Sequence, residues 1–102
     1  MIIAVDFDGT LCKNAWPDIG EPNWELIELL KKRQAEGDKL ILWTCRTGKQ
    51  LVNASKWCSE RGLIFDALND NLPESIEMFG NNSRKVFADM YIDDKSFTVE
   101  EI

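Results

Sequence analysis

The chain contains no histidine. That removes imidazole acid–base chemistry and most zinc centres from consideration. Its three cysteines, Cys12, Cys45 and Cys58, are odd in number and form no Cys-x-x-Cys pair, so neither a disulfide framework nor a thiolate metal site is expected. No apolar run approaches the ~20 residues of a membrane span. The opening apolar stretch, Met1 to Val5, is short and lacks a basic leader, so it does not read as a signal peptide, and a cytoplasmic location is expected. Basic residues are also scarce. Twelve Lys and Arg face eighteen Asp and Glu, for a net charge of −6, which argues against a nucleic-acid backbone as partner. The acidic surplus has a plainer use in keeping a small protein soluble.

What is present describes one domain over residues 1–102, with 44% hydrophobic and 29% charged residues, near the small end for a self-sufficient core. Met1 to Phe7 is an apolar run ending in acid, as expected of a strand buried on both faces. Residues 11–21, punctuated by Pro17 and Gly20, read as a loop. Asn23 to Glu36 carries Leu26, Ile27, Leu29 and Leu30 at helical spacing, between Pro22 and Gly37. Lys39 to Thr44 is a second strand and Gly48 to Arg61 a second helix. Leu63 to Leu68 is a third strand, and a helical turn or two follows Pro73. Val86 to Ile92 is a fourth strand running into Asp93 and Asp94. Cys45 and Cys58 lie in apolar segments and are expected to pack inside, whereas Cys12 could be exposed. Trp24, Trp43 and Trp57 read as core or helix-face residues.

The alternation implies an α/β protein: a three-layer sandwich around a short parallel sheet of about four strands, with right-handed crossovers. Ligands of such sheets bind beyond the carboxyl ends of the strands. Asp6 and Asp8, Thr44, and Asp93 with Asp94 all fall at that edge. Crowded carboxylates repel; two unit charges ~4 Å apart cost about 4 kcal/mol at an effective dielectric of ~20. A divalent cation resolves the conflict, and with oxygen ligands only, Mg²⁺ is the expected cofactor. Asp6 could attack a phosphoryl group as a covalent nucleophile. Asp8 could protonate the departing alcohol and later deprotonate water. Thr44 could hydrogen-bond a phosphate oxygen beside the N-terminus of the second helix, and a lysine would neutralise the remaining charge.

Asp6-Phe7-Asp8-Gly9-Thr10 resembles the first motif, D-x-D-G-T, of the haloacid dehalogenase (HAD) superfamily. Leu40 to Thr44 is similar to its second motif, and Tyr91-Ile92-Asp93-Asp94 to its acidic fourth. The resemblance covers nearly the whole chain in the right order. It implies a Rossmann-like core without a cap domain, hence an open site, and a Mg²⁺-dependent phosphatase acting through an aspartyl-phosphate. Asp6 would be the nucleophile and Asp8 the acid/base. The metal ligands would be the Asp6 side chain, the Asp8 carbonyl and Asp93, with Asp94 as alternate. Lys85, eight residues before Asp93, is the candidate third motif, with Lys95 and Arg46 behind it; Thr44, Arg46 and Lys85 are the candidate phosphate-binding residues. The expected partner is a phosphorylated substrate, small or carried on something larger. An exposed Trp16 would suggest a substrate platform, and an open site in a Trp-rich chain is compatible with a homodimer.

Plainer readings stand beside these. Asp-Gly is a common turn signal, and Asn69, Asn71 and Pro73, which could shape a substrate loop, read first as a turn. Thr44 suits any strand, Lys85 with Arg84 suits a solvated surface, and Arg46 could simply pair with an acid. Two rival functions remain: a phosphoacceptor signalling module, in which the reactive Asp would end the third strand, and an idle binding domain on the same fold.

Overall fold

The computed structural model describes residues 1–80, 82 and 86–94. Nine elements follow in order: β1 (Ile2–Val5), β2 (Cys12–Ala15), β3 (Asp18–Pro22), α1 (Trp24–Ala35), β4 (Lys39–Leu42), α2 (Gly48–Glu60), β5 (Ala67–Leu68), α3 (Pro73–Phe79) and β6 (Met90–Ile92). The main sheet has four parallel strands in the order β5-β4-β1-β6. β1 is therefore central, which is why its apolar run reads as buried on both faces.

The alternation of each strand divides the core in two. Ile3 and Val5 of β1 and Leu40 and Leu42 of β4 join Leu26, Ile27 and Leu30 of α1 and Ala54 and Cys58 of α2. Ala4 and Ile41 face the other way, against Leu72, just before α3, and Val86. The result is an α/β sandwich with chain packed on both faces of the sheet.

Helix ends follow their local chemistry. Asn23 caps α1, its side chain accepting from the Leu26 N–H at 3.3 Å. The same side chain donates to the Thr10 carbonyl at 3.1 Å, tying the helix to the turn after β1. α3 starts on Pro73 and stops at Gly80, whose φ of 71° is left-handed, as helix-ending glycines commonly are.

Four expectations are corrected. Residues 11–21 are not loop but largely the antiparallel hairpin β2–β3, turning through a cis Trp16–Pro17 bond. Its strands are mostly exposed and lack the apolar alternation that announces a strand. They approach so closely that a Cβ on Gly20 would lie 2.2 Å from the Lys13 carbonyl oxygen.

The third and fourth strands are shorter than their apolar runs. Asp66 receives the Leu40 N–H on its Oδ2 while its own N–H bonds the Leu40 carbonyl, both at 2.8 Å. Asp89 does the same with Ile2, at 2.6 and 2.8 Å. Each aspartate occupies the neighbouring strand's free groups, and regular pairing begins only after it.

Two cysteines exchange places, Cys12 being buried and Cys45 exposed, while Cys58 is buried as expected. Cys45 lies past the end of β4, where the chain leaves the core. Trp24 is half exposed, whereas Trp43 and Trp57 pack against the core as expected. Among the described residues, no helix is long and apolar enough to cross a membrane.

Candidate active site

The sheet register assembles the site. Val5 pairs with Leu42 on one side and Ile92 on the other. The hydrogen bonds that close these pairs, Asp6 N–H to the Ile92 carbonyl at 2.9 Å and Trp43 N–H to the Val5 carbonyl at 2.8 Å, hold the residues just past the strand ends. Asp6 therefore stands between Trp43 and Asp93. Since side chains alternate, Asp6 and Asp93 share the face of Ala4 and Tyr91. These residues, with Trp43 and Ile92, line a cavity of about 300 Å³ at the carboxyl edge of the sheet.

Electrostatics agree with this convergence. Burial pushes the Asp6 carboxyl above its ordinary value, and the charges of Asp8, Asp94 and Asp93 push the same way, against a hydrogen bond from the Phe7 main chain. Asp94 leans over the turn after β1: a Cβ on Gly9, whose φ is +83°, would lie 3.6 Å from its Oδ2. The expected acids thus gather at one rim, with a division between them. Asp6 and Asp93 face the cavity. Asp8 turns its carboxylate to Arg46.

That pair is the most constrained feature of the site. Arg46 Nε donates to Asp8 Oδ2 at 2.8 Å and Nη2 to Oδ1 at 2.7 Å, a bidentate geometry. The guanidinium lies over the Phe7 ring at 5.1 Å and the Trp16 ring at 4.9 Å. It also donates to hairpin carbonyls, from Nη2 to Asp18 at 3.0 Å and from Nη1 to Pro17 at 3.4 Å. Arg46 is 1% exposed. The expectation that it pairs with an acid holds; as found here, the group is engaged with Asp8 and the hairpin rather than open to an incoming phosphate.

Thr44 is held by its main chain, its N–H donating to Asn69 Oδ1 at 2.7 Å. Its Oγ1 accepts the Arg46 N–H at 3.2 Å. Asn69 Nδ2 reaches the Arg46 carbonyl at 2.9 Å, so one side chain fixes both ends of this short loop. Asn69 has φ +50°, a left-handed conformation that asparagine tolerates better than most residues. Sequence reasoning read it as a turn residue and missed this role; an Asn directly after a strand was the available signal. Trp16, weighed as an exposed platform, is 57% exposed, with its ring over Arg46. Lys85 and Lys95 lie outside the described residues.

The fold and this rim define an α/β protein with an acidic site at the carboxyl edge of a parallel sheet. No protein-family model matches the chain, and no curated protein matches it. Among solved structures it is similar to a conserved protein from Bacteroides thetaiotaomicron, with 47% identity, a TM-score of 0.83, and an alignment covering 94% of this chain and 77% of that one. The chain belongs to the same family as that protein.

Proposed function

We propose that the protein is a phosphomonoester hydrolase of the HAD type, dependent on Mg²⁺ and acting through an aspartyl-phosphate at Asp6. The observation that carries this reading is that Asp6 and Asp93, each directly after the paired Val5 and Ile92, line one cavity, with Asp8 at the adjacent turn.

The donor chemistry fits the ion. Among the described residues, no group of three or more His, Cys, Asp or Glu side chains is placed to hold a metal ion. A hard cation of this kind does not need such a group, because it keeps waters and takes one or two carboxylates. Asp6, Asp93 and the Asp8 carbonyl would hold it, with Asp94 as alternate. When bound, it would offset the crowding of the acids and neutralise charge on the phosphoryl oxygens.

The residues then divide the work. An Asp6 oxygen forms a bond to phosphorus as the bond to the leaving oxygen breaks, and Asp8 gives that oxygen its proton. Water next attacks phosphorus and gives its proton to Asp8, the bond to Asp6 breaks, and inorganic phosphate departs. Thr44, fixed by Asn69, would donate its hydroxyl to a phosphoryl oxygen. The third-motif role of Lys85 belongs to the same proposal.

The test is phosphate release from p-nitrophenyl phosphate with Mg²⁺. EDTA, Asp6→Asn and Asp8→Asn should each abolish it. Wild-type turnover by Asp6→Asn would overturn the reading. A screen of phosphorylated metabolites, nucleotides, sugars and peptides then identifies the substrate class.

A further inference from the structure

Arg46 has a burial and a partner set that a simple surface ion pair lacks. Its guanidinium is almost fully enclosed, meets both oxygens of Asp8, and lies over one ring from the β1 turn and one from the hairpin. The hairpin meets the guanidinium through Trp16 and the carbonyls of Pro17 and Asp18, and meets the Asp8 turn through Cys12, whose carbonyl accepts the Gly9 N–H at 2.9 Å.

We infer that Arg46 is a positioning residue for Asp8, and that the hairpin, through Trp16, clamps Arg46 so that the Asp8 carboxyl keeps one plane and direction while one of its oxygens is released from the pair to serve the leaving-group oxygen. The inference rests on the phosphatase reading of the same site. Asp8 hangs from a turn whose glycine, Gly9, has a positive φ, and its side chain has rotational freedom of its own. A planar fork meeting both oxygens fixes the plane and direction of the carboxylate, which a point charge cannot do. The fork is fixed in turn by rings on two sides and carbonyls on a third. The hairpin therefore belongs to the catalytic apparatus through its hold on Arg46. As Asp8 transfers its proton, the bond from Arg46 to the oxygen that reprotonates is made and broken, and the second bond keeps the group aligned.

Positioning has a signature that general support of the fold lacks. Proton delivery contributes on the order of 10²–10⁴-fold and matters most where the leaving oxygen is basic. A displaced Asp8 should therefore harm poor leaving groups more than good ones. The experiment measures kcat/KM for a series of phosphate monoesters, from p-nitrophenyl through phenyl to simple alkyl, with Mg²⁺ present. The proteins are wild type, Arg46→Met, Arg46→Lys and Trp16→Ala, each checked for folding by circular dichroism.

Arg46→Met should lose roughly tenfold or less on p-nitrophenyl phosphate and on the order of 10²–10³-fold on the alkyl ester, steepening the dependence on leaving group. Arg46→Lys, which keeps the charge without the fork, should stay close to Arg46→Met. Trp16→Ala, changed at an exposed side chain, should show the same selective loss at smaller size, and decides the matter alone if the Arg46 variants do not fold. Equal losses across the series, or full activity in Arg46→Lys, would overturn the positioning role while leaving the phosphatase reading intact. A wild type inert toward every ester would remove both.

Discussion

Asp6 and Asp93 each directly follow a paired residue, Val5 and Ile92, at the ends of adjacent parallel strands, and line one cavity. Main-chain register alone determines that neighbourhood, so it does not depend on any rotamer. The arrangement is unfavourable for two ionised carboxylates unless a cation or a proton separates them.

A stability prediction follows from Asp6. Its folded-state pKa is raised, chiefly by burial. The associated stabilisation is complete below the unfolded carboxylate value of about 3.9 and is lost as pH rises through the folded value. In the metal-free protein, Asp6→Asn should melt above wild type at pH 7, with the difference vanishing near pH 3 to 4. Added Mg²⁺ should raise the wild-type Tm, by the equivalent of about 2.7 kcal/mol at a hundred times its Kd, and leave Asp6→Asn nearly unmoved. Calorimetry across pH, with and without Mg²⁺, checks both.

Asn69 offers a second test, because it combines two hydrogen bonds with a left-handed backbone. Asn69→Gly keeps the conformation and loses the bonds; Asn69→Ala loses the bonds and strains the backbone as well. Each bond is worth about 0.5–1.5 kcal/mol net, and an alanine in this conformation adds roughly 1–2 kcal/mol. Urea denaturation should rank wild type above Asn69→Gly above Asn69→Ala. Phosphate release should fall in both, since both free the Thr44 main chain. Equal stability of wild type and Asn69→Gly, with only Asn69→Ala weakened, would show that Asn69 is only a turn residue.

The thiols should separate cleanly. Burial pushes the Cys12 thiol up, and that of Cys58 up to about 12, while Cys45 is exposed. Thiolate is the reacting form. Treatment of the native protein with a disulfide reagent should modify Cys45 rapidly, and the other two only on unfolding. Peptide mass mapping after a timed reaction reads this directly.

The sequence made the sheet and the acids legible for one physical reason. Strands buried on both faces are written as apolar runs, and their polar tips mark the functional edge. The residues that support those tips carry no such pattern. The hairpin is short, polar and exposed, so nothing in its periodicity distinguishes it from loop. Arg46 looks like one surface cation among twelve basic residues until the fold brings Asp8, 38 positions away, to its fork. Asp66 and Asp89 fall inside runs that read as strands, and nothing marks them as plugs for a neighbouring strand. In each case the partner lies far along the chain, where local pattern does not reach.

The central claim is that Asp6 carries the phosphoryl group. The most direct measurement quenches the enzyme during turnover of p-nitrophenyl phosphate with Mg²⁺, reduces it with borohydride, and sequences the peptides by mass spectrometry. An aspartyl-phosphate is reduced to homoserine, which should be found at position 6, should require Mg²⁺, and should persist at higher occupancy in Asp8→Asn if that variant still accepts the phosphoryl group. Phosphate release with homoserine at another aspartate, or at none, would contradict the account.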